Sequence, residues 1–175
     1  MPMREATADD NDDSNPPLKA RLLSRAMRTG PLFQTALWTQ MPLLAMVSPR
    51  VTDLDAERCA IEIPFNWRNR NVFGTMYFAA SMMAAEATTG GLVFYHDALR
   101  RQDCSFIVRG VSADFVDKAQ SRVRFECTQG DVVDEAFSES ARSDERVERT
   151  LEVVGWRDDG TEIARVHIDW SWRGK

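Results

Sequence analysis

The spacing of apolar residues along the chain changes period several times. Leu18, Leu22, Leu23, Ala26 and Met27 recur at helical spacing, and Leu32, Phe33, Ala36, Leu37 and Met41 continue in the same way. Gly30-Pro31 breaks the run and Pro42 closes it. This predicts two short helices, or one bent helix, laid across an edge of the core. From Leu43 the period shortens. Leu43 to Val51, interrupted by Pro49, reads as an edge strand. Across Arg58 to Phe65, Cys59, Ile61 and Ile63 point one way, and Arg58, Ala60 and Glu62 the other. Cys59 is therefore expected in the core rather than as a nucleophile. Pro64 to Asn71 is a loop.

The second half repeats the strand period. Ser105 to Val116 is a strand with a bulge expected at Gly110. In Ser121 to Cys127, Val123, Phe125 and Cys127 alternate with Arg122, Arg124 and Glu126. Asp131 to Ala141 returns to helical spacing, with an acidic start that suits a helix N-terminus. A loop at 144–146 leads to two strands, Arg149 to Trp156 and Glu162 to Trp172. Asp158-Asp159-Gly160 between them is a hairpin signal. In the last strand Ala164, Val166, Ile168, Trp170 and Trp172 share one face. Arg165, His167, Asp169 and Ser171 share the other, which places His167 toward solvent. Strands grouped on either side of one apolar helix indicate an α+β domain rather than alternating βαβ units.

That helix is predicted in the stretch from Asn71 to Gly91. Between Gly74 and Gly90 the only charge is Glu86, and most positions are Ala, Met, Thr or Ser. Ala and Met favour a helix, and no polar face is visible, so burial nearly all round is expected. Gly90-Gly91 marks the expected end, because glycine accepts the left-handed turn that closes helices. Leu92 to Tyr95 either extend the helix or turn away. A lone carboxylate in apolar surroundings must find a partner, take up a proton or face a cleft. For Glu86, an ion pair with an arginine and a place in a reactive cleft both stay open. A membrane span is disfavoured, since about 20 apolar residues are needed and a carboxylate stands near the middle. His96-Asp97 is a weak catalytic pair, because adjacent helical residues do not face each other.

Composition narrows the functions. A chain of 175 residues, 43% of them hydrophobic, suffices for one domain with its own core. A net charge of −5 argues against a nucleic-acid surface. The first 17 residues hold Asp9, Asp10, Asp12 and Asp13, then Pro16-Pro17, which predicts a disordered acidic tail before a single domain over 18–175. No apolar leader is visible, so no signal peptide is expected. The three cysteines, Cys59, Cys104 and Cys127, suit a reducing compartment, with the cytoplasm as the expected location. With only His96 and His167, and no Cys-x-x-Cys, no metal site is expected. Gly-x-Ser-x-Gly, P-loop, Gly-x-Gly-x-x-Gly and His-Glu-x-x-His motifs are absent from the sequence.

Asn71, Gly74 and Glu86 fall on the spacing of a known motif. The stretch resembles the central-helix signature of hot-dog-fold thioesterases, Asn-x-x-Gly-x-x-His-Gly-Gly, then six residues, then Asp or Glu. Tyr77, Phe78 and Ala79 stand at the His-Gly-Gly places. The Gly-Thr-Met-Tyr version looks like a DUF4442-like branch of this superfamily, related to 4-hydroxybenzoyl-CoA thioesterases. The resemblance covers roughly residues 18–173. It implies an antiparallel sheet wrapped around a long central helix, preceded by N-terminal helices.

The same resemblance implies an acyl-CoA or other acyl-thioester hydrolase that needs no cofactor, the CoA thioester being the substrate. The backbone N–H groups of Phe78 and Ala79 would polarise the carbonyl, with Glu86 as general base or nucleophile. Asn71 would position the attacking water or the carbonyl, and Gly74 and Tyr77 would line the substrate site. Arg68 and Arg70 flank the motif loop, and guanidinium groups suit phosphates. The implied assembly is a homodimer, or a dimer of dimers, with the site completed across the interface and no nucleic-acid or membrane partner. Phe78 carries a side chain where glycine would let a substrate approach the backbone. This keeps an alternative open: a non-catalytic hot-dog protein that binds an acyl or aromatic ligand or serves as an assembly module.

Overall fold

The computed structural model describes residues 16–100, 103–142 and 145–174. Apart from Pro16 and Pro17, the acidic tail lies outside the described residues. The elements in chain order are α1 (Leu18–Arg28), α2 (Gly30–Gln40), α3 (Pro42–Met46), β1 (Arg50–Leu54), β2 (Cys59–Ile63) and α4 (Phe78–Leu99). They continue with β3 (Cys104–Phe115), β4 (Val123–Cys127), α5 (Gly130–Ser140), β5 (Val147–Arg157) and β6 (Glu162–Gly174). The strands form one antiparallel sheet in the order β1-β2-β4-β5-β6-β3. β1, β2, β4, β5 and β6 pack closely on α4, and β3 meets it through the Phe94–Phe106 and Phe78–Phe115 ring contacts, so the sheet wraps around the helix as the resemblance implies.

The alternating residues of β2, β4, β5 and β6 build the core. Ile61, Phe125, Leu151, Val153, Ile168 and Trp172 are wholly or almost wholly buried. Each such side chain stabilises the fold by about 1.5–3 kcal/mol relative to exposure. The β5–β6 hairpin turns at Gly160, whose φ of 82° lies in the left-handed region that glycine tolerates. In β3 the register shifts between Val108 and Gly110, at the expected bulge. Cys59 and Cys127 are buried, and burial pushes the Cys59 thiol far up and the Cys127 thiol up to about 11. Neither is a nucleophile in this state.

Three expectations change. Leu43 to Val51 is not an edge strand: residues 42–46 form α3, and the strand begins only at Arg50. Pro42 at the first turn favours the helix, where its missing N–H costs nothing. Gly90-Gly91 does not end the central helix, which runs on through Leu92 to Tyr95 and stops at Leu99. A Cβ on Gly91 would lie 3.0 Å from the Cys59 Sγ and 3.6 Å from the Met27 methyl, so this glycine admits β2 and α1 close to the helix. Burial is also less complete than expected: Phe78 and Phe94 are about half exposed, each with its ring edge-on to a β3 phenylalanine, Phe115 and Phe106. His96 is buried, and its Nε2 lies 2.9 Å from the Ala56 carbonyl, to which it donates in the neutral form. Burial lowers its pKa, which favours that form. Asp97 turns away to Lys19, at 3.8 Å, so the pair is structural.

Candidate functional site

The loop before α4 is built by Asn71. Its side-chain Oδ1 accepts from the N–H groups of Phe73 (2.9 Å) and Thr75 (3.1 Å). Its Nδ2 donates to the Thr75 hydroxyl (2.9 Å) and the Met76 carbonyl (3.4 Å). All four hydrogen-bonding positions of the amide are thereby spent on the loop. Gly74, with φ of 75°, makes the tight turn inside it. Further on, the Met76 and Tyr77 N–H groups donate to the carbonyls of Ala119 and Asn69, both at 2.7 Å. These bonds fix where α4 begins.

At that beginning, Tyr77 is the N-cap and makes no side-chain cap. The N–H groups of Phe78 and Ala79 have no acceptor among the described residues. Such unpaired donors at the positive end of a helix dipole can hold a negative oxygen. They stand beside a cavity of about 840 Å³ lined by Asn71, Tyr77, Phe78, Phe115, Arg68 and Arg70, among others. The Phe78 ring meets Tyr77 edge-on at 5.0 Å and Phe115 at 6.3 Å, forming an aromatic wall. Lys118 also lines this cavity, and sequence reasoning missed it; Val116-Asp117-Lys118 carries no pattern that marks it out. Asp117 stands there too, but pairs with Arg157 at 3.4 Å. Arg68 donates to the Ser48 hydroxyl at 2.7 Å, and neither it nor Arg70 has a carboxylate partner among the described residues. The mouth is therefore cationic in an otherwise acidic chain.

Glu86 lies elsewhere. It lines a second hollow of about 370 Å³, with Met41, Pro42, Leu43, Leu44 and Met83. The α2–α3 junction forms the other wall of this hollow. The carboxylate has no hydrogen-bond or ion-pair partner among the described residues, and burial raises its pKa above the ordinary 4.5. The ion-pair reading of Glu86 thus has no cation to rest on. One oxygen would lie 3.7 Å from a Cβ on Gly90, so Gly90 leaves space beside it. Along one helix Phe78 and Glu86 are eight residues apart, about 12 Å at 1.5 Å per residue. The structure brings Asn71, Tyr77, Phe78, Arg68 and Arg70 together, and holds Glu86 apart from them within one chain. Gly74 and Ala79 do not line the first cavity, although their neighbours Phe73, Thr75 and Phe78 do. Among the described residues there is no group of three His, Cys, Asp or Glu side chains that could hold a metal ion. No helix among them is long and apolar enough to cross a membrane.

Residues 29–172 match the family described as domain of unknown function DUF4442. Comparison with curated proteins gives no match. Among solved structures, a Shewanella oneidensis protein described provisionally as a thioesterase superposes with a TM-score of 0.70 at 13% identity, over 87% of this chain and 99% of that one. A variant of a Pseudomonas aeruginosa thioesterase gives 0.61 at 16% identity, over 87% and 99%. A Haemophilus influenzae thioesterase gives 0.61 at 10% identity, over 83% and 91%. At these identities the likeness shows the fold.

Proposed function

Because this chain belongs to the DUF4442 family and has the hot-dog fold, we propose that it hydrolyses acyl thioesters, with an acyl-CoA as substrate. Glu86 carries the reading: a half-buried carboxylate on the central helix, without a counter-cation, in an apolar hollow. A desolvated carboxylate is a better base than one in water, and burial is how proteins tune such groups. The unpaired N–H groups of Phe78 and Ala79 supply the second half, an oxyanion site. Since about 12 Å separates the halves along one helix, the reaction needs the N-terminus of α4 from one copy and Glu86 from another. The site is thus shared in a homodimer. Asn71 enters as the residue that shapes the loop, and Arg68, Arg70 and Lys118 as the cations that receive the CoA phosphates.

In the general-base form, water gives a proton to Glu86 as its oxygen bonds to the carbonyl carbon. The Phe78 and Ala79 N–H groups hold the oxyanion. The C–S bond then breaks, and the proton passes to the departing thiolate, leaving a carboxylic acid and a free thiol. In the nucleophilic form a Glu86 oxygen bonds to the carbonyl carbon and the C–S bond breaks, releasing the thiolate; water then cleaves the resulting anhydride to the carboxylic acid and Glu86, and the proton released goes to the thiolate. The test is thiol release from a panel of acyl-CoAs by wild type and Glu86→Gln. Turnover is expected to fall by at least about 10²-fold in a folded variant. Equal turnover in both removes Glu86 as base or nucleophile, and no turnover in the wild type removes the hydrolase reading. One observation favours a second reading: at the start of α4, where the motif has glycine, Phe78 carries a ring that meets Phe115 edge-on at 6.3 Å. An inactive wild type that still binds acyl or aromatic ligands would establish the non-catalytic alternative.

A further inference from the structure

On the far half of α4, away from both hollows described above, a third concavity of about 400 Å³ lies between α1 and α4. Arg21, Ser24, Arg25, Arg28, Thr29 and Tyr95 line it, and no carboxylate does. The arginines are spaced i, i+4, i+7, so one helix face presents all three. None has a carboxylate partner among the described residues, whereas Arg100, Arg122, Arg124, Arg149, Arg157 and Arg165 each hold one. Residues 16–52 contain Lys19, Arg21, Arg25, Arg28 and Arg50, with no Asp or Glu, in a chain whose net charge is −5. Like charges one turn apart on a helix repel and destabilise it by a few tenths of a kcal/mol per pair. A cationic face kept without its own counter-charge is relieved when an anion binds.

Cations in a last helical turn also complement the helix dipole, which accounts for Arg25 and Arg28. It does not account for Arg21 or for Tyr95. Tyr95 is buried, and its hydroxyl has no hydrogen-bond partner among the described residues although it lines the concavity. The nearby Asp55 is turned to the backbone, accepting from the N–H groups of Glu57 at 2.8 Å and Arg58 at 3.0 Å. The Ser24 and Thr29 hydroxyls already donate, to the carbonyls of Leu54 and Arg25. The donors left for a ligand are three guanidinium groups and one phenol. Guanidinium groups match the oxygens of a phosphate in pairs.

We propose that Arg21, Arg25, Arg28 and Tyr95 form a binding site for a phosphate group, separate from the thioester site. The group belongs either to a soluble nucleotide or to an anionic lipid headgroup. Tyr95 is 17 residues from Phe78, about 26 Å along the helix, so within one chain this site does not overlap the cationic mouth at Arg68 and Arg70. The inference does not rest on the hydrolase reading.

The full chain is titrated with ADP, and separately sedimented with phosphatidylglycerol vesicles and with phosphatidylcholine vesicles. The comparison is between wild type, the Arg21→Ala, Arg25→Ala, Arg28→Ala triple variant, and Tyr95→Phe. The three arginines are exposed, so the triple variant is expected to melt like the wild type. ADP binding that weakens at least about tenfold in the triple variant, and less in Tyr95→Phe, identifies a soluble phosphate source. Sedimentation with phosphatidylglycerol but not phosphatidylcholine, lost in the triple variant, identifies a headgroup. A wild type that binds neither probe overturns the proposal. So does a triple variant that binds as well as the wild type, or equal sedimentation with both kinds of vesicle.

Discussion

The Glu86 carboxylate sits between Met83 and the α2–α3 junction, where desolvation holds its pKa above 4.5. A carboxyl group whose pKa is higher folded than unfolded binds more protons in the folded state. Its contribution to stability is fully present below the unfolded pKa and is lost as pH rises through the folded pKa. Ionised Glu86 therefore weakens the fold near neutral pH. Glu86→Gln is expected to raise the thermal midpoint near neutrality and to match the wild type well below the ordinary value of 4.5. Melting both proteins across pH checks this, and a clear fall in the midpoint at neutrality would reveal a hidden partner cation. At this scale the sequence was legible where a residue type is rare in its surroundings. One charge among alanines and methionines pointed to Glu86. It could not say which hollow the carboxylate faces, because Met41 and Leu43 reach it only through the tertiary fold. For the same reason Asn71 reads as a catalytic amide in the motif, while its loop takes up every hydrogen bond it can make.

Elements were legible where a period ran uninterrupted. The β4 alternation and the β5–β6 hairpin stand where the sequence puts them, and the β3 bulge falls at the glycine that suggests it. The misreadings came from glycine and proline, whose meaning depends on partners distant in sequence. Two glycines inside a helix cost about 1 kcal/mol each relative to alanine, and that cost reads as a stop. Inside the helix, Gly91 leaves room for Cys59 and Met27, which occupy the space a side chain there would need. Gly130, at the start of α5, shows the same effect more strongly. Its N–H donates to the Glu57 carbonyl at 3.0 Å, and a Cβ there would fall 1.8 Å from the Ala56 carbonyl oxygen and 2.8 Å from the Glu57 Cα. Backbone cannot yield as a side-chain tip can. Gly130→Ala is expected to lower stability by about 3 kcal/mol, at the upper end of the usual cost of overpacking. Urea unfolding measures it, and an unchanged midpoint would show that α5 is free to move off the β1–β2 turn.

For the whole molecule, the unfinished part of the sheet is β3. It is a twelve-residue strand at one edge, and none of its residues is buried. Its inner face carries Phe106, Val111 and Phe115, and α4 offers Phe94 and Phe78 beside them, at 5.5 Å from Phe106 and 6.3 Å from Phe115. Val111 is 48% exposed, Phe115 46% and Phe78 54%, a large apolar surface next to an open row of backbone donors and acceptors. Soluble proteins cover such edges. Under the shared site proposed above, the cover is a second copy of this chain pairing along this edge. Light scattering of the wild type is expected to give a dimer mass or a multiple of it. Val111→Lys with Phe115→Lys changes only half-exposed side chains, so the variant should fold, and it is expected to run as a monomer without turnover. A wild type that stays monomeric across micromolar concentrations would count against both the dimer and the shared site. A monomeric variant that hydrolyses thioesters as fast as the wild type would separate the two: the interface would stand, and catalysis would have to be completed within one chain, across the distance from Phe78 to Glu86.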